Sequence, residues 1–101
     1  MTPRFEHADF AKHLNSKFRI RLDDSQTVES KLTELSELML SPGQEQFSLV
    51  FLTSNEFFLG QGLRSFEHEV MGQFELFLVP IGRDAAGTSY EAVFNRLVKE
   101  N

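Results

Sequence analysis

The sequence predicts a mainly β domain of the α+β class, with about six antiparallel strands in a small open barrel or sandwich and a short N-terminal helix. Residues 62–80 alternate as two strands joined by a tight turn, and residues 47–52 form an almost continuous apolar run typical of a central strand. A chain of 101 residues is long enough for one core. We therefore interpret residues 1–101 as a single β-rich domain.

The first predicted elements are a helix and a strand. Residues 7–14 place Phe10 and Leu14 at helical spacing, so both side chains are expected to pack against the core. Basic and apolar residues then alternate, which predicts a half-exposed strand with the inner residues Phe18, Ile20 and Leu22. Asp23 and Asp24 follow directly, and we interpret both as turn formers.

Residues 27–40 carry conflicting signals. Four apolar residues fit one stripe of an amphipathic helix: Val28, Leu32, Leu35 and Met39. The short preceding turn instead favours a hairpin, in which a strand would follow. We predict a strand at residues 28–36 with a bulge near Glu34, and a helix remains the alternative.

The second half of the chain predicts the rest of the sheet. A turn at residues 41–44 precedes the central strand, the hairpin follows, and residues 82–87 lead to a last strand at residues 89–94. Alternation turns one face of each strand inward, which predicts a contiguous core of Phe47, Leu49, Phe51, Phe74, Leu76, Leu78 and Phe94. Residues 95–101 are expected to fray.

The segment before the hairpin, residues 53–61, is predicted to be a loop with three consecutive large apolar side chains, Phe57, Phe58 and Leu59. Packing onto the core is the favoured interpretation of these three residues. If they are exposed instead, the loop is the candidate interaction site, because an exposed apolar patch is typical of an interface.

Composition limits the kinds of partner. The chain has no cysteine, which excludes disulfides and thiolate metal sites, and it lacks a signal-peptide pattern, so a cytoplasmic location is expected. A formal charge of −5 disfavours nucleic acid, although five basic residues lie in the first quarter of the chain: Arg4, Lys12, Lys17, Arg19 and Arg21. No apolar run is long enough to cross a bilayer. We therefore expect no nucleic-acid and no membrane partner.

His68 is the strongest single candidate for a chemical site, because Glu67 and Glu69 flank it. On a strand these carboxylates face away from His68, and Phe66 and Val70 share the inward face with its ring. We therefore predict a structural polar role in which the ring bonds the neighbouring turn or backbone. His7 and His13 lack the i, i+4 spacing of helical metal ligands and are expected to be solvated. We find no catalytic motif, and we predict no metal and no cofactor.

Four segments, FSLVF (47–51), EHEVMG (67–72), FLVPIG (77–82) and YEAVFN (90–95), resemble a family of small bacterial domains of unknown function. The resemblance implies a compact, mostly antiparallel β domain with a short N-terminal helix and a strand within residues 28–36. It implies no catalytic residue. Families of this kind often lie beside phage-tail-like genes, which adds a role in such assemblies as an expectation.

The favoured function is therefore a protein-interaction or structural assembly module, which binds a protein partner or itself. Its partner would contact an exposed strand edge or the loop that carries Phe57, Phe58 and Leu59. A small-ligand-binding β-barrel is the alternative, and it would need a cavity that the eleven Phe side chains would tend to fill. An enzyme without a recognisable motif is the third candidate.

Overall fold

The computed structural model describes residues 5–97 of the chain. These residues form one short helix and seven strands, all paired antiparallel. In chain order the elements are α1 (His7–Ala11), β1 (Lys17–Arg21), β2 (Thr27–Leu35), β3 (Met39–Ser41), β4 (Gln44–Thr53), β5 (Gly62–His68), β6 (Gly72–Asp84) and β7 (Gly87–Leu97). The predicted mainly β class with a short N-terminal helix is confirmed.

Six of the strands close into a barrel. The sheet runs β2-β1-β5-β6-β7-β4, and a further pairing between β2 and β4 joins its two ends. The barrel is thus closed where an open one or a sandwich was expected, because β2 pairs with β1 along one edge and with β4 along the other. The pairings differ in length. Ten residue pairs join β4 to β7, whereas the seam between β1 and β5 has two, Arg19 with Glu67 and Ile20 with Phe66.

β2 explains the conflicting signals at residues 27–40. Val28, Ser30 and Leu32 alternate inward, and the register with β4 then shifts between Leu32 and Glu34. The bulge adds one residue to the strand, so the inward-facing positions shift by one and Leu35, not Glu34 or Ser36, packs toward the core. A strand with such a bulge produces the same apolar spacing as a helix. The predicted strand and its bulge near Glu34 are confirmed.

β3 has no counterpart among the predicted strands. It pairs with the start of β4, with Met39 opposite Gln46 and Ser41 opposite Gln44, across the predicted turn at Pro42 and Gly43. All three residues of β3 are exposed, so neither side of this short strand faces a core. A three-residue strand exposed on both sides leaves no periodicity in the sequence, which is why the alternation of apolar residues did not reveal it.

Aromatic rings fill the interior of the described barrel. Six of the seven predicted core residues are buried, and Phe94 is partly buried against them. Phe10, on α1, is fully buried and has ring contacts at 5.2–6.0 Å with Phe47, Phe74 and Phe94. The helix thus covers the barrel between the start of β6 and the end of β7.

Three expectations about individual positions are wrong. Leu14 is 42% exposed, because the helix ends at Ala11 and the chain turns before reaching it. Val70 is 73% exposed, because it lies in the turn after β5 and so leaves the inward face shared by Phe66 and His68. The last strand continues to Leu97, so residues 95–97 are paired and not frayed. Residues 98–101 of that expectation lie outside the described residues.

Candidate interaction site

The loop between β4 and β5 (residues 54–61) is anchored at its start by Asn55. The Asn55 Nδ2 donates to the Asp84 carbonyl at 2.6 Å, and its Oδ1 accepts from Arg83 Nε at 3.0 Å and from Thr88 Oγ1 at 2.8 Å. Arg83 also donates to the Asn55 carbonyl at 2.9 Å. Hydrogen bonds of Asn55 therefore hold the start of the loop against the hairpin of β6 and β7.

Leu59 fastens the other half of the loop. Its side chain is buried, and its backbone N–H donates to the buried Tyr90 hydroxyl at 2.8 Å. Phe57 and Phe58 lie between these two anchors, 41% and 59% exposed. Leu59 thus follows the favoured interpretation of core packing, whereas Phe57 and Phe58 lie at the surface.

Phe57 forms part of the wall of a groove of about 610 Å³ that lies along the start of β2. The opposite wall is the first half of β2, and the ends of β4 and of the segment before β1 complete it. The lining residues are Asn15, Lys17, Thr27, Val28, Glu29, Ser30, Lys31, Leu52, Ser54, Glu56 and Phe57. We call this feature the β2 groove.

The β2 groove contains a free strand edge. The hydrogen bonds from Leu22 N to Gln26 O and from Leu32 N to Ser16 O show that the even-numbered residues of β2 direct their backbone groups toward β1. The backbone groups of Thr27 and Glu29 therefore point the other way. On that side β4 ends at Thr53, opposite Ser30, and no strand of the described residues pairs with residues 27–29.

The charges around the β2 groove are of both signs. Lys17 and Glu29 form an exposed ion pair at 3.8 Å across β1 and β2, and Lys31 and Glu56 also line the groove. On the adjoining part of β1, Arg19 and Arg21 both form ion pairs with Glu67 of β5. The basic strand noted in the sequence is therefore balanced by carboxylates on both neighbouring strands.

His68 lies elsewhere, at the end of β5. Its ring is buried, and Nδ1 accepts hydrogen bonds from the N–H groups of Val70 at 3.0 Å and Met71 at 3.1 Å. The Ser16 hydroxyl donates to the His13 carbonyl at 2.7 Å, which leaves its oxygen to accept from His68 Nε2 at 3.1 Å. The ring is therefore neutral with its proton on Nε2.

The surroundings of His68 disfavour its charged form. Its ring lies 4.3 Å from that of Phe18 and 4.5 Å from that of His13. Burial, followed by the electrostatic effect of His13, lowers the pKa of His68 below its ordinary value. Glu67 is engaged with the arginines of β1 and Glu69 is exposed, so the flanking carboxylates do not converge on the ring.

The other two histidines are half-buried, so the expectation that they are solvated is wrong. His7 Nε2 lies 2.7 Å from the Ser36 carbonyl, and its ring packs edge-on against Phe47 at 5.2 Å. Within residues 5–97, no group of three or more His, Asp or Glu side chains is placed to hold a metal ion.

Sequence reasoning missed Asn55 and the free edge of β2. The sequence offers one weak signal for Asn55, an asparagine between a strand and a glycine-containing loop, which indicates a turn and not a long-range anchor. The free edge depends on where β4 ends relative to β2. This register is a property of the closed barrel and cannot be derived from either strand alone.

Comparison with known proteins identifies one family that matches the chain. No curated protein and no solved structure matches the chain. No helix in the described part of the chain has the length and apolar character required to span a bilayer. A family model described as a domain of unknown function matches residues 5–94, which is most of the chain. The chain therefore belongs to that family, the domain of unknown function DUF6916.

Proposed function

We propose that this domain is a protein-interaction module whose β2 groove receives an extended segment of a partner protein. The observation that carries the proposal is the position of Phe57, which faces a strand edge whose backbone groups at Thr27 and Glu29 have no strand partner among the described residues. An exposed edge beside an apolar side chain is the arrangement that binds peptides by strand addition.

Backbone pairing supplies the first part of the recognition. A segment lying along residues 27–29 would take the position that β4 leaves at Thr53, and it would bond the outward N–H and C=O groups of Thr27 and Glu29. Because binding exchanges hydrogen bonds with water for hydrogen bonds with the partner, the net gain for each bond is modest, about 0.5–1.5 kcal/mol.

Side chains supply the second part. The aromatic ring of Phe57 would cover an apolar side chain of the bound segment, and Lys31 and Glu56 would select among charged neighbours. The anchors at Asn55 and Leu59 hold the loop on both sides of Phe57, so little ordering is required on binding. Because aromatic rings occupy the barrel interior, the outer surface is favoured over an internal ligand site.

Selection from a random peptide library displayed on phage, with the folded domain as target, tests the proposal. We expect enriched peptides to share an apolar position, and to shift the NMR signals of the Thr27 and Glu29 amides. A double variant, Phe57→Ser with Phe58→Ser, is expected to weaken binding of a selected peptide at least about tenfold, the equivalent of 1.4 kcal/mol. Phe77→Ser, which changes an exposed phenylalanine on β6, is the matched control.

A second pair of variants separates backbone pairing from side-chain contact. Glu29→Pro removes an N–H that points into the groove and is not used in the pairing with β1, whereas Glu29→Ala retains it. Loss of peptide binding in the proline variant alone supports strand addition, provided that both variants keep the native unfolding midpoint. Failure to enrich any peptide, or equal binding by the Phe57 and Phe58 variant, would overturn the proposal.

A further inference from the structure

Ser16 joins β2 to β5 through two different groups. Its backbone carbonyl accepts a hydrogen bond from the Leu32 N–H of β2 at 3.2 Å, and its hydroxyl oxygen accepts one from His68 Nε2 of β5 at 3.1 Å. The preceding residue, Asn15, donates its N–H to the Leu32 carbonyl at 2.6 Å. We call the bond between the His68 ring and the Ser16 hydroxyl the His68–Ser16 link. The segment before β1 is thus held by β2 on one side and by His68 on the other.

The segment that contains Ser16 is also a wall of the β2 groove. Asn15 and Lys17, the two neighbours of Ser16, both line the groove. Asn15 has a φ of +70°, a left-handed conformation that residues other than glycine adopt rarely, so its position depends on the bonds around it. The two residue pairs that join β1 to β5 lie further along β1. The His68–Ser16 link is therefore a bond through which β5 supports this wall of the groove.

The bonds of the His68 ring require the ring to be neutral. Nδ1 accepts hydrogen bonds from the N–H groups of Val70 at 3.0 Å and Met71 at 3.1 Å, so it carries no proton in this arrangement. A second proton on the ring would bind at Nδ1, where it would point at these two N–H donors. A charged ring must therefore leave its position, and the Ser16 hydroxyl then loses its partner.

The groups around His68 oppose a positive charge on its ring. Burial has the largest effect in lowering the pKa of His68, and His13 and Arg19 add to it. Glu69, in the turn after β5, acts in the opposite direction. Glu67 of β5 forms ion pairs with the arginines of β1. The buried ring is therefore neutral near pH 7, and acidic pH favours arrangements in which the ring is released to water.

We propose that protonation of His68 releases the segment before β1 and so opens one wall of the β2 groove. A released wall no longer presents Asn15 and Lys17 in fixed positions, so a bound segment is held less tightly at acidic pH. Linkage requires the reverse effect too, because a segment bound between the walls favours the neutral ring. The effect on binding rests on the function proposed above, whereas the release is a property of the domain alone.

Hydrogen exchange of the Asn15 and Leu32 amides measures the release without any ligand. Because a released histidine has a pKa of about 6.5, the released population should rise several-fold, up to about tenfold, between about pH 7.5 and about pH 5.5. We expect the protection of both amides to fall by the same factor after correction for the intrinsic exchange rate. Both should also be less protected than amides in the junction of β4 and β7, because a local release leaves that junction paired.

Three variants identify the titrating group. His68→Gln keeps a donor and an acceptor but binds no proton in this range, so we expect the protection of Leu32 to be independent of pH. Ser16→Ala removes the link, and we expect weak protection of Leu32 at both pH values. His13→Gln removes the ring that lies 4.5 Å from that of His68, and the dependence on pH should remain. A dependence that persists in His68→Gln, or disappears in His13→Gln, would overturn the proposal.

Titration with a selected peptide that contains no histidine tests the effect on binding. We expect the Kd of the unmodified chain to rise as the pH falls from about 7.5 to about 5, by no more than about tenfold per pH unit, the limit for one proton. The Kd of His68→Gln should stay constant. A Kd of the unmodified chain that does not change with pH would overturn the proposal, as would equal protection of Leu32 and of the β4–β7 junction. Failure to select any peptide would overturn the proposed function alone, because the exchange of Leu32 decides whether the wall is released.

Discussion

The His68 ring and the Ser16 hydroxyl are joined at 3.1 Å, which links the end of β5 to the residue before β1. Because Ser16 donates its own proton to the His13 carbonyl, this bond requires the proton of the imidazole to be on Nε2. The opposite nitrogen is then free to accept from the turn at Val70 and Met71. A single neutral ring thus holds together two segments that are 52 residues apart in sequence.

We expect His68→Ala to lower the free energy of unfolding by about 1–3 kcal/mol, because the Val70 and Met71 amides and the Ser16 hydroxyl would lose their partner. Urea denaturation measures the change. Glu69→Ala, which truncates an exposed side chain in the same turn, is a control for general effects of the substitution. An unchanged midpoint together with lost peptide binding would move His68 from a structural role to a functional one.

The stability of the domain is expected to depend on pH through His68. Its pKa is lowered in the folded state by burial, and next by His13, so the unfolded chain binds the proton more readily. The contribution of the neutral His68 ring to the free energy of unfolding is fully present above the unfolded pKa of about 6.5, and it is lost as the pH falls below that value. Urea midpoints measured from neutral to acidic pH check the sign. His68→Ala is expected to show a shallower dependence over this window.

A side chain at Gly87 is expected to destabilise the domain. Its φ is +147°, and a Cβ at this position would stand 2.1 Å from the Thr53 carbonyl oxygen. Because the contact is with backbone, Gly87→Ala requires a strand to move, and we expect a loss of about 1–3 kcal/mol. Gly60→Ala, which has open space around the added Cβ, is the control. Equal unfolding midpoints for the two variants would contradict the prediction.

The two faces of β6 are expected to respond differently to truncation. Leu76 is buried among the core side chains, so Leu76→Ala should cost about 2–5 kcal/mol. Its neighbour Phe77 is 52% exposed on the outer face, and Phe77→Ala should cost much less. Thermal or urea unfolding of both variants compares the faces directly. A larger loss for Phe77 would reverse the assignment of inward and outward positions.

The sequence predicted elements that depend on local pattern. The alternation of Phe74, Leu76 and Leu78 indicated an inward face, and these residues are buried because a barrel strand has one apolar side. The bulge near Glu34 was also predicted, although its spacing resembled a helix. Closure of the barrel was not predicted. It depends on the pairing of β2 with β4, and the residue pattern of either strand does not show which strand will lie beside it.

The candidate site was predicted less completely. Three consecutive apolar residues marked the loop, but the sequence could not show that Leu59 turns inward while Phe57 and Phe58 stay outside. That division depends on the Tyr90 hydroxyl and on the partners of Asn55, which β6 and β7 bring to the loop. Contacts between distant strands have no signature in a local pattern of residues.

The pairing between β1 and β5 is the shortest in the barrel, so the closed sheet is weakest there. Two residue pairs close it, and the ion pairs of Glu67 with Arg19 and Arg21 lie across the same place. Ion pairs at a surface weaken as salt is added, whereas the ten-pair junction of β4 and β7 consists of backbone bonds. Transient opening of the barrel would therefore start at this seam, and added salt would make such openings more frequent while the opposite wall stays intact.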